Sequence, residues 1–324
     1  METISGITNW LLTVRREDDG VTILRALTCD KKAVLPDEIF GLPVTALQDR
    51  ALAAGAPPLE GEEVRVLGGA ESEDWDNRSI TDLTLPRPLR DIGDYAFMKL
   101  RGMETLRFFD DLRTAGRGTF MNCRCFSRLE LTRTGPHQGP VLAWIVQSLR
   151  QELDVTIHEL DGSTLRLIFP AYYEDYSLNR PAYYFQTRVV GGGDAYRTVF
   201  RDRALSAADY DALWPGYIAR EHDEDSALRL AYVRLCCPAA LGEQAALRYA
   251  DYLRANLGRA LSPALREKDM PGLRMLLGLS SPGTEILDAA LQESRTLHLT
   301  EATAILLQKR HERPAAGRNR SFDL

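Results

Sequence analysis

The stretch ITDLTLPRPLRDIGDYAF, residues 80–97, decides the fold because its pattern returns at a fixed spacing. Its segment LTL at 83–85 aligns with LRF at 106–108 and with LEL at 129–131, in two steps of 23 residues. The same offset aligns three further pairs: Ile92-Gly93 with Ala115-Gly116, Ala96-Phe97 with Thr119-Phe120, and Leu100 with Cys123. So many positions in one register predict a tandem repeat, since periods of roughly 20–50 residues are typical of repeat folds.

An earlier copy of the unit begins at Leu35-Pro36 and runs to Ala51-Leu52. Within it, Leu47 precedes Ile92 by 45 residues, which is about two periods. The extra length falls in residues 57–77, which are rich in Gly, Pro, Glu and Asp. That composition predicts an insertion or a degenerate repeat.

Each unit is predicted to hold a short strand, a turn and a second extended segment. One unit cannot bury its own Leu and Phe side chains, so neighbouring units are expected to stack into a solenoid. Alternation along the strands would turn Leu83, Leu106 and Leu129 inward, and Phe97 would stack on Phe120. The residues between would face outward and form a candidate partner-binding surface: Asp82, Thr84, Thr105, Arg107, Arg128 and Glu130.

Residues 35–52 and 80–97 resemble the BspA-type leucine-rich repeat, in which a strand and a Pro are followed by Ile-Gly-x-x-Ala-Phe. The predicted strand pair within residues 10–27 is also similar to the segment that precedes such repeats. The likeness covers about residues 8–132. Three positions depart from the pattern: Leu52, Phe109 and Ala115. The resemblance implies a solenoid used for binding, with no catalytic residues.

Residues 136–203 are predicted to form a small mixed α+β region. Apolar residues at helical spacing in 141–149 predict a helix that covers the open end of the solenoid. Residues 155–157 and 165–169 flank Asp161-Gly162 and predict a hairpin. A second hairpin is predicted from residues 182–190 and 196–200, around three glycines at 191–193. These glycines suit either a flexible tip or a phosphate-binding loop.

Aromatic residues cluster in this middle region and define an alternative candidate pocket: Tyr172, Tyr173, Glu174, Tyr176 and Arg197. Aromatic rings beside arginines are able to stack bases, so an enzyme, a nucleotide-binding protein or a single-strand nucleic-acid binder with its site in residues 153–201 is an alternative interpretation. A sheet core whose tyrosine hydroxyls reach water explains the same residues.

From residue 206 onward the period becomes helical. Ser206 with Asp209 resembles a capping box, and Ser262-Pro263 and Ser281-Pro282 predict two further helix starts. The predicted helices cover 206–221, 225–236, 239–257, 262–268, 271–279, 282–294 and 300–311. The last four resemble ankyrin helix pairs, in which an Ala-Leu helix packs on a Leu-Leu helix, and a plain helical bundle is the alternative.

Composition excludes several classes of protein. The chain has 324 residues, of which 44% are hydrophobic and 27% charged. Its net charge of −6 counts against a general nucleic-acid binder, which usually carries an excess of basic residues. Five cysteines, an odd number, do not predict a disulfide framework, and no metal-ligand spacing or cofactor motif occurs. The absence of a signal-like start predicts a cytoplasmic protein that does not enter a membrane.

Together these patterns predict an α+β multidomain protein. We expect a leucine-rich-repeat-like solenoid with a β cap over residues 1–135, the mixed region over 136–203, an all-α ankyrin-like domain over 204–313 and a disordered tail over 314–324. The predicted function is non-catalytic: repeat surfaces that bind another protein, without cofactor or metal.

Overall fold

The computed structural model describes residues 2–69, 75–137, 139–179, 184–220 and 222–312, without the side chains of 176–179 and 184–187. The chain is of mixed α and β structure with a helical C-terminal region, and it divides into two compact units, residues 1–222 and 223–324.

The strands are β1 (Glu2–Ser5), β2 (Trp10–Glu17), β3 (Gly20–Leu27), β4 (Lys32–Val34), β5 (Glu38–Ile39), β6 (Leu42–Leu47), β7 (Glu62–Leu67), β8 (Asp82–Thr84), β9 (Asp91–Ile92), β10 (Thr105–Phe109), β11 (Thr114–Ala115), β12 (Arg128–Thr132), β13 (Leu153–His158), β14 (Thr164–Phe169), β15 (Tyr173–Asn179), β16 (Tyr184–Val190), β17 (Phe200–Arg201) and β18 (Ala204–Leu205). The α-helices are α1 (Val141–Ser148), α2 (Gly193–Tyr196), α3 (Ala207–Ala212), α4 (Trp214–Ile218), α5 (Glu224–Cys236), α6 (Glu243–Ala255), α7 (Leu257–Arg266), α8 (Met270–Leu279), α9 (Thr284–Thr296) and α10 (Thr300–His311).

One sheet of the first unit is parallel in its repeat part, with the order β14-β13-β12-β10-β8-β4. Leu83 lies opposite Leu106, and Leu106 lies opposite Leu129, so the predicted 23-residue register is confirmed. All three leucines are fully buried. Beyond β12, the predicted hairpin is also confirmed, since β13 pairs with β14 across a turn in which Gly162 has a φ of 83°.

The other sheet has the order β1-β7-β2-β3-β6-β9-β11. Leu47 pairs with Ile92 and Ile92 pairs with Ala115, which places the earlier copy in the same stack. The segment predicted as an insertion supplies β7, which lies between β1 and β2. The sequence Glu-Glu-Val-Arg-Val-Leu of β7 alternates polar and apolar residues, as is typical of a strand. The Gly, Pro and Glu residues on both sides of it favoured the prediction of an insertion.

Two devices hold successive turns of this sheet together. A Cβ at Gly93 would lie 2.5 Å from the Asp49 backbone nitrogen, and one at Gly116 would lie 2.4 Å from that of Asp94, so only glycine permits this spacing. The Asp49 carboxylate accepts the Asp94 N–H at 2.8 Å, and the Asp94 carboxylate accepts the Arg117 N–H at 2.8 Å. Each turn therefore satisfies a backbone donor of the next.

Between the sheets, the rings of Phe97 and Phe120 meet edge to face at 5.7 Å, and Phe120 stacks on Phe126 at 4.6 Å. The predicted stacking of Phe97 with Phe120 is thus confirmed, with a third ring added. Helix α1 packs beside β11, the end strand of the sheet that contains β1, as expected of a helix that covers the end of the stacked units.

Asn77 lies in a short 3₁₀ turn and is 1% exposed. Its Oδ1 accepts the Thr28 N–H at 2.9 Å, and its Nδ2 donates to the carbonyls of Ala26 at 2.8 Å and Leu52 at 2.9 Å. One side chain thereby ties three backbone segments together.

The second predicted hairpin is wrong in its pairing. Strand β16 pairs with β15, and Tyr196 ends the short helix α2. The glycines at 191–193 are required by packing: a Cβ at Gly192 would lie 2.3 Å from the Tyr217 ring, and one at Gly193 would lie 2.0 Å from the Pro170 carbonyl. They are therefore neither a flexible tip nor an open phosphate loop.

In the second unit the helices pack as successive pairs, α5 with α6, α7 with α8, and α9 with α10. Helix α7 also packs on α5 and α9, and α8 packs on α6 and α10, so the pairs form two layers. Asp269 caps α8 by accepting the Gly272 N–H at 2.9 Å, and it also accepts the Tyr232 hydroxyl of α5 at 2.5 Å.

The helix starts were predicted with mixed success. Ser206 accepts the Asp209 N–H at 3.2 Å, which confirms that cap. Ser262 was predicted to cap a helix, but it lies inside α7, because the buried apolar face of that helix already begins at Leu257. The Ser262 hydroxyl donates to Glu293. Ser281 is not a cap either, since α9 begins at Thr284.

Candidate interaction surface

The inward leucines of β8, β10 and β12 fix the opposite side of the sheet as an outer face, defined here by Asp82, Thr84, Thr105, Arg107, Arg128 and Glu130. Parallel register places equivalent side chains beside one another, and neighbouring strands are about 4.8 Å apart. Thr84 thus lies beside Arg107, which lies beside Glu130. Sequence periodicity is enough to bring these side chains into one row.

Arg107 is the centre of this face and bridges three strands. Its Nε and Nη2 donate to the two oxygens of Glu130 at 2.8 and 3.1 Å, and its Nη1 donates to Asp82 at 3.2 Å. Burial opposes the charge of Arg107, but hydrogen bonds to Glu130 and Asp82 hold its pKa above the ordinary value. Burial likewise opposes the charge of Asp82, and hydrogen bonds from Thr81 and Arg107 nevertheless keep its pKa below the ordinary value. Arg107 is therefore fixed in place, with 39% of its side chain exposed.

The charged pattern continues to both sides of Arg107. Arg128 donates to Glu104 at 2.8 Å, with about half of each side chain exposed. On β13 and β14, Arg166 makes a two-pronged contact with Asp154, at 2.9 and 2.6 Å. The outer face is thus a regular array of positive and negative groups that hold one another in position.

Thr105 departs from the expected exposure. It lies between Asp82 and Arg128 on the neighbouring strands and is only 1% exposed. The alternation of side chains along β10 places Thr105 on the outer side of the strand. The longer side chains on both sides of it cover its short side chain, so Thr105 is not accessible to solvent. Thr105 is removed from the candidate contact residues, and the others are half-buried or exposed.

The alternative pocket of the middle region is only partly assembled. The Arg197 guanidinium lies 5.6 Å from the ring centres of Tyr172 and Phe169, and it donates to the carbonyls of Leu149 at 3.1 Å and Gln151 at 2.8 Å. Burial lowers the pKa of Arg197 to about 10. Because Arg197 is 5% exposed and bound to backbone carbonyls, its contacts join structural elements within the fold.

The other members of that pocket do not converge on Arg197. Tyr173 is 60% exposed, and Glu174 pairs with Arg150 at 3.0 Å. The side chain of Tyr176 lies outside the described part of the chain. The expectation of one aromatic binding pocket is therefore not supported by these neighbours.

The described residues also bear on metal binding and on membrane insertion. They hold no group of three His, Cys, Asp or Glu side chains placed to bind a metal ion. Among them, no helix combines the length and apolar character needed to span a bilayer.

Comparison with known proteins finds one distant structural similarity. No protein-family model and no curated protein matches the chain. One solved structure with similarity is a leucine-rich repeat protein from T. pallidum, at 21% sequence identity and a TM-score of 0.28. The match covers 37% of this chain and half of that protein's length.

Proposed function

We propose that the protein is a non-catalytic protein-binding module that uses the outer face. In this proposal the stacked units of residues 1–135 form a short leucine-rich-repeat solenoid of the BspA type, and the helix pairs of the second unit are ankyrin-like repeats. A cytoplasmic location belongs to the same proposal, because a reducing compartment would keep the exposed thiol of Cys125 unoxidised.

The observation that carries the proposal is the mutual fixation of charges around Arg107. A side chain already held in one geometry loses little conformational freedom when a partner binds, so its contacts are converted more fully into affinity. Alternating charges also discriminate against partners with the wrong pattern, because like charges then meet. A flat, fixed array of this kind suits a complementary protein surface.

The test is a charge swap, Glu104→Arg with Arg128→Glu, in the full chain. The pair remains within the protein, so we expect melting to change little, whereas the pattern shown to a partner is inverted. A matched control is the swap Arg16→Glu with Glu62→Arg, because that pair on the other sheet is similarly exposed and has a contact of 2.6 Å, against 2.8 Å for Arg128 with Glu104.

Capture from native lysate, quantified by mass spectrometry, then decides the matter. We expect a partner retained in stoichiometric amount by the native and control proteins, and at least about tenfold less by the outer-face swap, equivalent to roughly 1.4 kcal/mol. Equal retention by all three proteins would show that the outer face is not the binding surface.

A further inference from the structure

A second feature of the chain follows the 23-residue spacing, a series of arginines. Arg78, Arg101 and Arg124 stand at equal intervals, each four residues before an outer-face strand position. The Cys125 N–H donates to the Arg101 carbonyl at 3.3 Å, and the Arg78 carbonyl lies close to Gly102, so the three backbones are stacked. All three arginines are exposed, and they form a basic row across successive units.

This row borders a cavity of about 490 Å³ lined by Ala54, Gly55, Arg78, Lys99 and Arg101. Arg78 contacts Asp76 at 3.4 Å. Within the described residues, Lys99 and Arg101 have no carboxylate in ion-pair contact, unlike the arginines of the outer face. The cavity therefore carries positive charge that the surrounding described residues leave largely uncompensated.

A second cavity of about 430 Å³ adjoins the first and shares Gly55 and Arg78 with it. Its lining combines the apolar side chains of Leu11, Leu27, Pro58, Leu59 and Trp75 with polar ones that include Thr13, Glu63 and Asp76. Ligand sites commonly combine an apolar enclosure with a few placed polar groups. Together the two cavities provide space for a ring beside space for an anion.

The wall between the cavities is rigid. Arg25, which is 5% exposed, donates to the carbonyls of Arg50 at 2.7 Å, Ala53 at 2.8 Å and Ala56 at 2.9 Å. The Ala54 N–H donates at 3.0 Å to the carbonyl of Met98, next to Lys99. Both the wall and the turn that carries the lysine are therefore fixed before any ligand binds.

Lys99 also occupies an unfavourable backbone position. Its φ is 68°, in the left-handed region, where Gly and Asn are preferred. Asn122, at the same position of the next unit, has a φ of 63°. Positive φ also occurs at Arg50 and Tyr95 in these turns, so it belongs to the repeat, and asparagine fits the backbone at position 99 better than lysine does.

We propose that these two cavities form a binding site for a small phosphorylated molecule with a ring, of which a nucleotide is the simplest example. Arg78, Lys99 and Arg101 bind the phosphates, and Trp75 with the neighbouring aliphatic side chains contacts the ring. The site is separate from the outer face, so its failure and that of the proposed protein binding are independent.

The experiment is calorimetric titration of the full chain with ATP, adenosine and tripolyphosphate at low and moderate salt. We expect ATP to bind, tripolyphosphate to bind at least fivefold more weakly, adenosine not to bind, and added salt to weaken ATP binding because the contacts are electrostatic. No ATP binding at millimolar concentration, or adenosine binding as tightly as ATP, would overturn the proposal. Tighter binding of a tryptophan-containing acidic peptide would overturn it in favour of a protein ligand.

Variants locate the site. Arg78→Ala with Arg101→Ala should weaken ATP binding at least thirtyfold, and Trp75→Leu at least fivefold. The control is Arg113→Ala, which removes an exposed arginine that lines neither cavity. ATP binding that changes less than twofold in the double variant, or falls as much in the control, would refute the assignment.

Lys99→Asn separates binding from folding. Because asparagine tolerates the left-handed backbone, this variant should melt at the same or a higher temperature while ATP binding falls at least fivefold. Unchanged binding in a folded Lys99→Asn protein would exclude Lys99 from the site.

Discussion

Replacing Asn77 with alanine should destabilise the first unit through three buried backbone groups. The variant leaves the Thr28 N–H and the carbonyls of Ala26 and Leu52 without this partner. A buried polar group that loses its hydrogen bond raises the free energy of folding by roughly 1–3 kcal/mol. Because each carbonyl has a second lone pair, we use the low end and expect a loss of about 3 kcal/mol.

The four tryptophans all lie within residues 1–222, so tryptophan fluorescence during urea denaturation reports on this unit alone. Ser79→Ala is the matched control, since it removes a hydroxyl from the same short turn whose bonds are longer, at 3.2 and 3.3 Å. We expect that control to change the free energy of unfolding by less than about 1 kcal/mol.

Asn77→Asp identifies which part of the amide matters. It keeps an oxygen for the Thr28 N–H but turns the Nδ2 donor into an oxygen that faces two carbonyls. We expect it to destabilise at least as much as alanine at pH 7 and to recover in part when acid protonates the carboxylate. A loss below about 1 kcal/mol for Asn77→Ala would refute the role of Asn77 in joining these segments.

Three further predictions concern other parts of the chain. Phe120→Ala should lower the free energy of unfolding by roughly 3–5 kcal/mol, since it removes a buried ring between two others, and a urea melt with a loss below about 1 kcal/mol would contradict the stacked core. Gly272→Ala should lower the melting temperature seen by circular dichroism, because its Cβ would lie 1.9 Å from the Tyr232 hydroxyl; an unchanged melt would contradict that close packing. Burial raises the pKa of Cys123 to about 12, so at pH 8 its neutral thiol should react with iodoacetamide far more slowly than exposed Cys125, and equal labelling in a peptide map would show that Cys123 is accessible.

The repeat register could be predicted because it depends on local alternation. Leu83, Leu106 and Leu129 must turn inward to be buried, and a fixed spacing then determines which residues become neighbours. The composition of residues 57–77 did not indicate β7. The role of Asn77 could not be predicted either, because its partners are backbone groups about 25 to 51 residues away in the sequence.

The candidate surface was predictable to a similar extent. Alternation identified the outer side of the strands but not the accessibility of Thr105, which depends on the lengths of the side chains beside it. The pairing of Arg107 with Glu130 follows from the register, whereas the burial of Arg197 follows from tertiary packing. The basic row at Arg78, Arg101 and Arg124 carried a usable signal, because it has the same spacing as the leucines.

The series of hydrogen bonds between turns, from Asp49 to Asp94 and from Asp94 to Arg117, ends within the described stack. At the third position of that series stands Arg117, which offers no carboxylate to a following turn, and 23 residues later Pro140 has no N–H to donate. Both halves of the connection are therefore missing at the same place. Tandem duplication of a unit that ends in Asp94 would extend this hydrogen-bonded series, whereas a copy added after Arg117 would lack it, so the series favours growth of the array from its interior.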